Sequence, residues 1–291
     1  MSHRIEYAQP IFQWLRSRRW RSFESASASC RVRAVWALNG RSRIDSFDDD
    51  NRPAEPYGYA LVSTDAGLGC CYADDFLEAP PDWVGQDVRT LSPERRVWEV
   101  ALVDALPNAD AVAPSRELQL DGPAAVKARW RADLLKDVAL STASRTGAEG
   151  PIVVFGAVGA FLESLSQTGR TLFAADLHPA VIGQSWSGIT VRSFDEIRPV
   201  VRPGSLLVLT GMSISNDTID EVFALSREHN APLIVYAQSG ASFASDYINL
   251  GAECVVAERF PFYTMPGLSK ISVYERSSPF KAAAFGVQER A

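Results

Sequence analysis

The chain has 291 residues, of which 46% are hydrophobic and 22% are charged. This composition is typical of a globular protein, and the length favours two domains or one large one. The formal net charge of -6 disfavours a nucleic-acid-binding protein, which presents a basic surface. No apolar run approaches the roughly 18 residues that cross a bilayer, and the N-terminal segment has no signal-peptide pattern. We therefore predict a cytoplasmic protein with neither a nucleic-acid nor a membrane partner.

Cysteine and histidine are too few and too scattered to predict a metal site. The four cysteines form no CxxC motif, which favours a reducing compartment, and the chain has three histidines. Asp48–Asp50 lack the regular spacing of cation ligands, so a solvated turn is the better interpretation. The prediction is that no metal is bound directly by side chains.

The N-terminal half predicts a small α+β domain. A first helix over about residues 10–20 carries four arginines that suggest either a phosphate-binding arm or, as we favour for an acidic chain, a solvated face: Arg16, Arg18, Arg19 and Arg21. Alternation from Val32 predicts a strand, and Tyr57–Ser63 and Gly69–Tyr72 predict a hairpin with a turn at residues 65–67.

Two helices complete this half. Ser92 as N-cap and Pro93 at the first helical position predict the start of one helix. A second helix, over about residues 123–140, has an apolar stripe of Val126, Trp130, Leu134 and Val138. The small, polar stretch 141–151 predicts a boundary between an N-terminal domain (1–145) and a C-terminal domain (151–291).

The C-terminal half predicts a Rossmann-like α/β domain. Five continuous apolar runs, at 152–155, 171–176, 205–210, 232–237 and 253–257, indicate strands that are covered on both faces of a parallel sheet. Residues 270–275 predict a final strand. Thr218 and Glu221 predict a capping box at the start of an intervening helix.

Ligands of such sheets bind at the carboxyl ends of the strands. Gly156 and Gly159 follow the first strand, where they would let a ligand approach the backbone. Asp176 ends the second strand and either accepts hydrogen bonds from a ribose or is a solvated turn acid. Asp195 is either an adenine contact or a helix cap.

The loop after the third strand is the strongest candidate. Thr210, Gly211, Ser213, Asn216 and Thr218 supply neutral donors and acceptors, which suit the recognition of carboxylates, amides or carbonyls. The alternative is that Asn216 and Thr218 cap the following helix. The loop offers no strong acid, base or nucleophile.

A fourth loop contains Ser239 beside Gly240. A nucleophile elbow would require GxSxG, which is absent, so we disfavour a serine hydrolase and predict a ligand contact at Ser239. His178 is the one histidine expected near the cleft, and a role as base or metal ligand is the less favoured interpretation.

Two stretches, VVFGAVGAFLESLSQTGRTLFAADLHP (153–179) and LVLTGMSISNDTIDEVFAL (207–225), resemble the DUF364 family of bacterial and archaeal proteins. The N-terminal half is similar more loosely to the preceding DUF4213 domain, in STDAGLGCCYADD, VGQDVRTL and RRVWEVALVDALPN. The chain departs from the family at Leu162, where a proline is usual, and at residues 237–240, where the family has Gly-Pro-Ser/Thr.

The resemblance implies an enolase N-terminal-like domain, then a Rossmann-like domain, with a ligand cleft between them. The activity proposed for the family is binding or making metal-chelating small molecules. The first hypothesis is therefore a protein that binds a small organic ligand, such as a metal chelate or a nucleoside-type cofactor. The alternatives are a group-transfer or tailoring enzyme in natural-product or metallophore biosynthesis, using S-adenosylmethionine, and a noncatalytic partner subunit. A homodimer is left open.

Overall fold

A computed structural model of the chain describes residues 9–25, 29–42, 55–108 and 111–276. The side chains of residues 25, 42 and 55 and the Asp48–Asp50 segment lie outside this description. Within the described ranges, no helix is both long enough and apolar enough to cross a bilayer.

The N-terminal half forms an antiparallel sheet in the order β1-β2-β3. Its strands are β1 (Val32–Ser42), β2 (Glu55–Thr64) and β3 (Leu68–Ala73), and the nearby helices are α1 (Ile11–Ser25) and α2 (Arg96–Asp104). The predicted hairpin is confirmed, because β2 pairs with β3 and the Thr64 amide donates to the Gly67 carbonyl at 2.8 Å across the turn.

The predicted cap of α2 is wrong. The helix begins at Arg96, and Ser92 and Pro93 precede it in non-helical conformation. Tertiary contacts hold the start of the helix instead. The Arg96 guanidinium lies 3.6 Å from the centroid of the Phe12 ring, and its Nη2 is 2.7 Å from a carboxylate oxygen of Asp217.

A nine-stranded sheet forms the rest of the fold, in the order β4-β12-β11-β10-β9-β5-β6-β8-β7. Strands β11 to β8 in this order run parallel, whereas β12, β4 and β7 are antiparallel to their neighbours. The strands are β4 (Arg116–Leu120), β5 (Ile152–Phe155), β6 (Leu172–Ala175), β7 (Ser185–Trp186), β8 (Ile189–Arg192), β9 (Leu206–Thr210), β10 (Leu233–Ala237), β11 (Cys254–Arg259) and β12 (Ser269–Glu275). The predicted α/β class and mostly parallel sheet are confirmed.

Helices cover both faces of this sheet. They are α3 (Ala124–Thr146), α4 (Gly159–Ser166), α5 (Phe194–Ile197), α6 (Ile219–Glu228) and α7 (Ala244–Leu250). Alternate strand residues enter two cores, because side chains of a strand point to opposite faces. One core joins Leu207 and Val235 to α6, α7 and the N-terminal half, and the other joins Val208 and Ile234 to α3 and α4.

The elements before residue 151 contribute to both sheets. Strand β4 pairs with β12 inside the nine-stranded sheet, and α3 packs on the same sheet through Leu135 and Val138. Helix α3 also continues beyond its predicted end, to a left-handed cap at Gly147. The boundary between 145 and 151 therefore stays a prediction, and it falls between two elements that share one core.

Two helices carry charged side chains that the sequence predicts to be exposed but that are buried in the structure. Arg19 on α1 is 1% exposed and its Nη2 lies 2.9 Å from Asp246, so the prediction of a fully solvated arginine face is wrong. On α3, Val126 and Trp130 of the predicted stripe are exposed, while the neighbouring Lys127 and Arg131 are buried. Other helices and loops supply partners for these cations, which pattern alone does not reveal.

Candidate functional site

The order of the parallel strands creates a topological switch point. From β5 the chain continues outward through β6 and β8, and then returns to β9 on the other side of β5. Ligands of open α/β sheets bind at the carboxyl ends of the strands beside such a point. A recess of ≈ 30 Å³ lies there, lined by Phe155, Gly156, Ala175, Asp176, Leu177, Phe194, Leu209, Thr210, Met212, Ser213, Asn216 and Thr218.

Gly156 allows the loops after β5 and β9 to touch. Its φ of 90° lies in the left-handed region, and a Cβ atom there would lie 2.0 Å from Oγ1 of Thr210. Its amide donates to the carbonyl of Ala175 at 2.9 Å. Gly159, the other predicted glycine, begins α4 and does not line the recess.

Asp176 joins two loops through its carboxylate. Oδ2 accepts a hydrogen bond from the Ala157 amide and Oδ1 from the His178 amide, both at 2.8 Å, and the residue is 8% exposed. The alternative prediction of a solvated turn acid is wrong, because the carboxylate is buried and each of its oxygens accepts a backbone amide. The ribose contact stays a prediction, since Asp176 also lines the recess.

The loop after β9 contributes an unsatisfied hydroxyl. Residues Gly211–Ile214 form a 3-10 turn, in which Ser213 is 4% exposed and lines the recess. No hydrogen-bond partner for Ser213 Oγ exists among the described residues. A buried hydroxyl without a partner costs about 1–3 kcal/mol. Gly211 has a packing role, because a Cβ there would lie 3.1 Å from Cα of Ala237.

The predicted capping box at α6 is wrong. The Thr218 side chain makes no cap bond, and its hydroxyl donates instead to Oδ1 of Asn216 at 2.7 Å. Glu221 pairs with Arg198 at 3.1 Å. Asp217, which lies between Asn216 and Thr218, has a φ of 61° and turns the chain there. Asn216 and Thr218 therefore support each other at the rim of the recess.

Ser239 lies away from the recess. Its Oγ accepts a hydrogen bond from the Tyr72 amide at 2.9 Å, and the residue is buried. The next residue, Gly240, donates its amide to the Cys70 carbonyl at 3.2 Å. The loop after β10 is thus a docking point for β3, because the antiparallel sheet packs over this end of the nine-stranded sheet. The role of Ser239 as a ligand contact stays a prediction.

A buried polar cluster lies next to this docking point, at the carboxyl ends of β10 and β11. Glu258 Oε2 accepts hydrogen bonds from Tyr236 Oη at 2.8 Å and Gln238 Nε2 at 2.7 Å, and lies 3.4 Å from Arg131 Nη1. Its Oε1 accepts from the Tyr263 amide at 2.8 Å. Burial, with Glu258 next in effect, raises the pKa of the Tyr236 phenol well above its ordinary value.

Sequence reasoning missed this cluster and the apolar lining of the recess. The detectable signal for the cluster is the pair Lys127 and Arg131, which are four residues apart and therefore lie on one face of α3. Lys127 Nζ donates to the Met265 and Gly267 carbonyls at 2.7 and 2.9 Å. Both cations thereby hold the segment between β11 and β12 against α3.

The structure does not place Asp195 or His178, the other candidate site residues, in the lining of the recess. Asp195 is exposed in the first turn of α5, where the capping box is formed by Ser193 and Glu196. His178 accepts a hydrogen bond at Nδ1 from the Ala180 amide at 3.2 Å. In the part of the chain that the structure describes, no group of three or more His, Cys, Asp or Glu residues could hold a metal ion.

No family model matches the sequence, and no curated protein is significantly similar to it. The fold is similar to the crystal structure of a DUF364-family protein of unknown function from Desulfitobacterium hafniense. That similarity has a TM-score of 0.50 and 12% identity, over 88% of this chain and 98% of that chain. A DUF364-family protein of unknown function from Pyrococcus horikoshii gives a TM-score of 0.49 and 11% identity, over 90% of this chain and 100% of that chain.

At such identities the similarity concerns the fold. The chain therefore shares the α/β fold of the DUF364 protein from Desulfitobacterium hafniense, which confirms, at the level of fold, the resemblance inferred from the sequence.

Proposed function

We propose that the chain binds a small organic ligand at the switch point, with one neutral polar group of the ligand entering the recess. The observation that carries this proposal is the Ser213 hydroxyl, which is buried in the recess and has no partner among the described residues. Buried polar groups are nearly always paired, so an unpaired one inside a recess marks a place for a ligand atom or a water.

The residues that line the recess indicate which kind of ligand group would enter it. The recess is lined by hydroxyls and an amide, from Thr210, Ser213, Asn216 and Thr218. Asp176 is the ionisable residue among the described ones that line it. Among the described residues, no Lys, Arg or His lines the recess, so none of them would neutralise a full negative charge there. A carbonyl, amide or hydroxyl is therefore preferred over a free carboxylate or phosphate.

The size of the recess limits how much of the ligand enters. A volume of ≈ 30 Å³ can hold a group of a few atoms, whereas pockets for drug-sized ligands measure about 300–1,000 Å³. A nucleoside, S-adenosylmethionine or a metal chelate would thus place one polar group in the recess and lie mostly outside it, over the rim formed by Leu177 and Asn216. The same lining supports recognition more than proton transfer, because the Asp176 carboxylate is occupied by two backbone amides.

The test is a thermal-shift screen followed by calorimetry. The probes are primary amides, polyols, nucleosides, S-adenosylmethionine and ferric chelates of hydroxamates. A ligand at 100 times its Kd stabilises the folded protein by about 2.7 kcal/mol, which raises Tm by a few degrees. Any hit is then titrated into Ser213→Ala and into Ser185→Ala, an exposed serine on β7 that does not line the recess.

We expect Ser213→Ala to weaken binding about 5- to 30-fold, since it removes one hydrogen bond inside a desolvated site. Ser185→Ala should bind as the wild type does. The proposal fails if every hit binds both variants and the wild type with equal affinity.

A further inference from the structure

One face of the antiparallel sheet carries a group of aromatic rings. Tyr57 and Tyr59 of β2 lie on this face with Tyr72 of β3, and these three residues are called the tyrosine cluster. The rings of Tyr57 and Tyr72 are stacked, with 7° between their planes and 6.4 Å between their centroids. The Tyr59 ring stands at 75° and 71° to them. Phe262, which follows β11, packs on Tyr59 at 5.1 Å, so this face is turned toward the carboxyl ends of the parallel strands.

The tyrosine cluster lies beside the recess. Gly211 begins the 3-10 turn that carries Ser213, and it packs so closely on the loop after β10 that a Cβ atom there would lie 3.2 Å from the Ser239 carbonyl oxygen. The Ser239 hydroxyl in turn accepts a hydrogen bond from the Tyr72 amide at 2.9 Å. Strand β3 also contacts the 3-10 turn directly. The loop after β10 thus connects the recess to the backbone of Tyr72.

Two carboxylates make the surroundings of Tyr72 negative. Burial, followed by the charges of Asp74 and Asp176, raises the pKa of the Tyr72 phenol to about 12. Asp176 lines the recess, and Asp74 is exposed at the end of β3. The face of an aromatic ring is the negative side of its quadrupole. Carboxylates and ring faces therefore both favour a positive group at this place.

An aromatic ring next to the tyrosine cluster already binds a cation of the protein. The Arg131 guanidinium lies 3.5 Å from the centroid of the Tyr263 ring, and Tyr263 also acts on the pKa of Tyr72. Nη1 of Arg131 is 3.4 Å from the buried carboxylate of Glu258. Because this ion pair has no net charge, it leaves the negative potential of Asp74 and Asp176 in place.

We propose that the ligand carries an organic cation, which rests against Tyr57 and Tyr72 while the neutral polar group of the ligand enters the recess. This inference rests on the proposed function, since the unpartnered hydroxyl of Ser213 marks the ligand site. It adds the charge of the part that lies outside the recess. The ligand class is a neutral amide, carbamate or hydroxyl group that is joined by a few bonds to an ammonium or similar cation.

The probes are two molecules of the same shape that differ in charge. One is carbamoylcholine, and the other is its uncharged carbon isostere, in which a tert-butyl group replaces the trimethylammonium group. Both offer a neutral carbamate to the recess. Isothermal titration calorimetry at about 50 mM salt should give carbamoylcholine a Kd at least about fivefold lower than that of the isostere. This preference should decrease at about 500 mM salt, because salt screens the two carboxylates.

The test variant is Tyr72→Leu, which removes a ring and keeps an apolar side chain, and it should lose most of the preference for the cation. Tyr72→Phe keeps the ring face and should retain the preference. The control is Tyr274→Leu, at a half-buried tyrosine on β12 outside the tyrosine cluster, which should bind both probes as the wild type does. If Tyr72→Leu fails to fold, Asp74→Asn, at an exposed acid, should lower the preference about twofold at low salt.

The results separate this inference from the proposed function. If both probes bind alike and Ser213→Ala weakens both, the ligand cation is overturned and the recess keeps its role. A preference for carbamoylcholine that survives in Tyr72→Leu and in Asp74→Asn also overturns the inference, because the cation then lies elsewhere. Failure of both probes to bind at millimolar concentrations overturns it as well, and the wider ligand screen then decides the proposed function.

Discussion

The backbone at Gly156 and the side chain of Thr210 are so close that a Cβ atom on the glycine would lie 2.0 Å from the threonine hydroxyl oxygen. This contact joins the ends of β5 and β9 at the switch point, and the recess opens beside it. The geometry of the recess therefore depends on a residue that has no side chain.

Gly156→Ala should lower the free energy of unfolding by about 2–4 kcal/mol, from the left-handed φ together with the clash. The control is Gly169→Ala, at a φ of 71° with nothing within 4 Å of the added Cβ, which should cost about 1 kcal/mol. Urea denaturation measures both. Equal losses for the two variants would show that the contact with Thr210 relaxes freely.

Ser213→Ala should stabilise the ligand-free protein by about 1 kcal/mol, because it removes a buried hydroxyl that has no partner among the described residues. The same variant should weaken ligand binding, so stability and binding move in opposite directions. Thermal denaturation without ligand is the measurement. A destabilisation of about 1 kcal/mol or more would mean that the hydroxyl is satisfied in the folded protein.

Asp176→Ala should destabilise the fold by about 2–4 kcal/mol, because two backbone amides lose a charged acceptor. Asp176→Asn keeps one oxygen acceptor, so the fold should lose about half as much stability as in Asp176→Ala. Asp195→Ala, at the exposed acid of α5, is the control and should change stability by less than about 0.5 kcal/mol. Wild-type stability in Asp176→Ala would contradict the structural role and favour a role in ligand binding alone.

Arg19→Met should lower the free energy of unfolding by about 3–5 kcal/mol, because it removes a cation that pairs with the buried carboxylate of Asp246. Arg16→Met provides the comparison on the same helix. Its side chain is about half exposed, lies 3.0 Å from Glu99, and should contribute less than about 1 kcal/mol. Chemical denaturation of the two variants at neutral pH tests whether burial, and not charge alone, determines the contribution.

Alkaline pH should destabilise the protein partly through Cys71. Burial raises the pKa of this thiol from 9.0 to about 12. The folded state therefore holds the proton more tightly than the unfolded state. The resulting stability is fully present below pH 9 and is lost as the pH rises toward about 12, on the order of a few kcal/mol.

Cys71→Ala should thus show a shallower fall in unfolding free energy between pH 9 and 12 than wild type. Equilibrium denaturation at several pH values measures the two slopes. Parallel slopes would mean that the Cys71 thiol ionises alike in the folded and unfolded states.

The sequence predicts the buried strands of the nine-stranded sheet well. Continuous apolar runs place β5, β6, β9, β10 and β11 to within about two residues. Strand β4, with the sequence RELQL, was missed because only its last residue is buried, and β7 and β8 are too short to show a pattern.

Tertiary contacts explain the other differences. Ser92 and Thr218 are good capping residues by type, but α2 begins beside Phe12, and Thr218 binds Asn216 instead of capping α6. The loops after β5, β6 and β9 converge as the strand order requires. Ser239 could not be placed from the sequence, because its partner, the Tyr72 amide, is 167 residues away.

The buried pair of Arg19 and Asp246 also determines when the chain can finish folding. The two residues are 227 positions apart. The Ile11 amide donates to the carboxylate of Asp220, which lies 209 positions later in the chain. At about 5–20 residues per second, a ribosome needs roughly 10–45 s to add the residues between the arginine and its partner. Helix α1 is synthesised before the other described elements, but these two contacts can form only after Asp220 and Asp246 have been added. Part of its native packing is therefore missing throughout that interval.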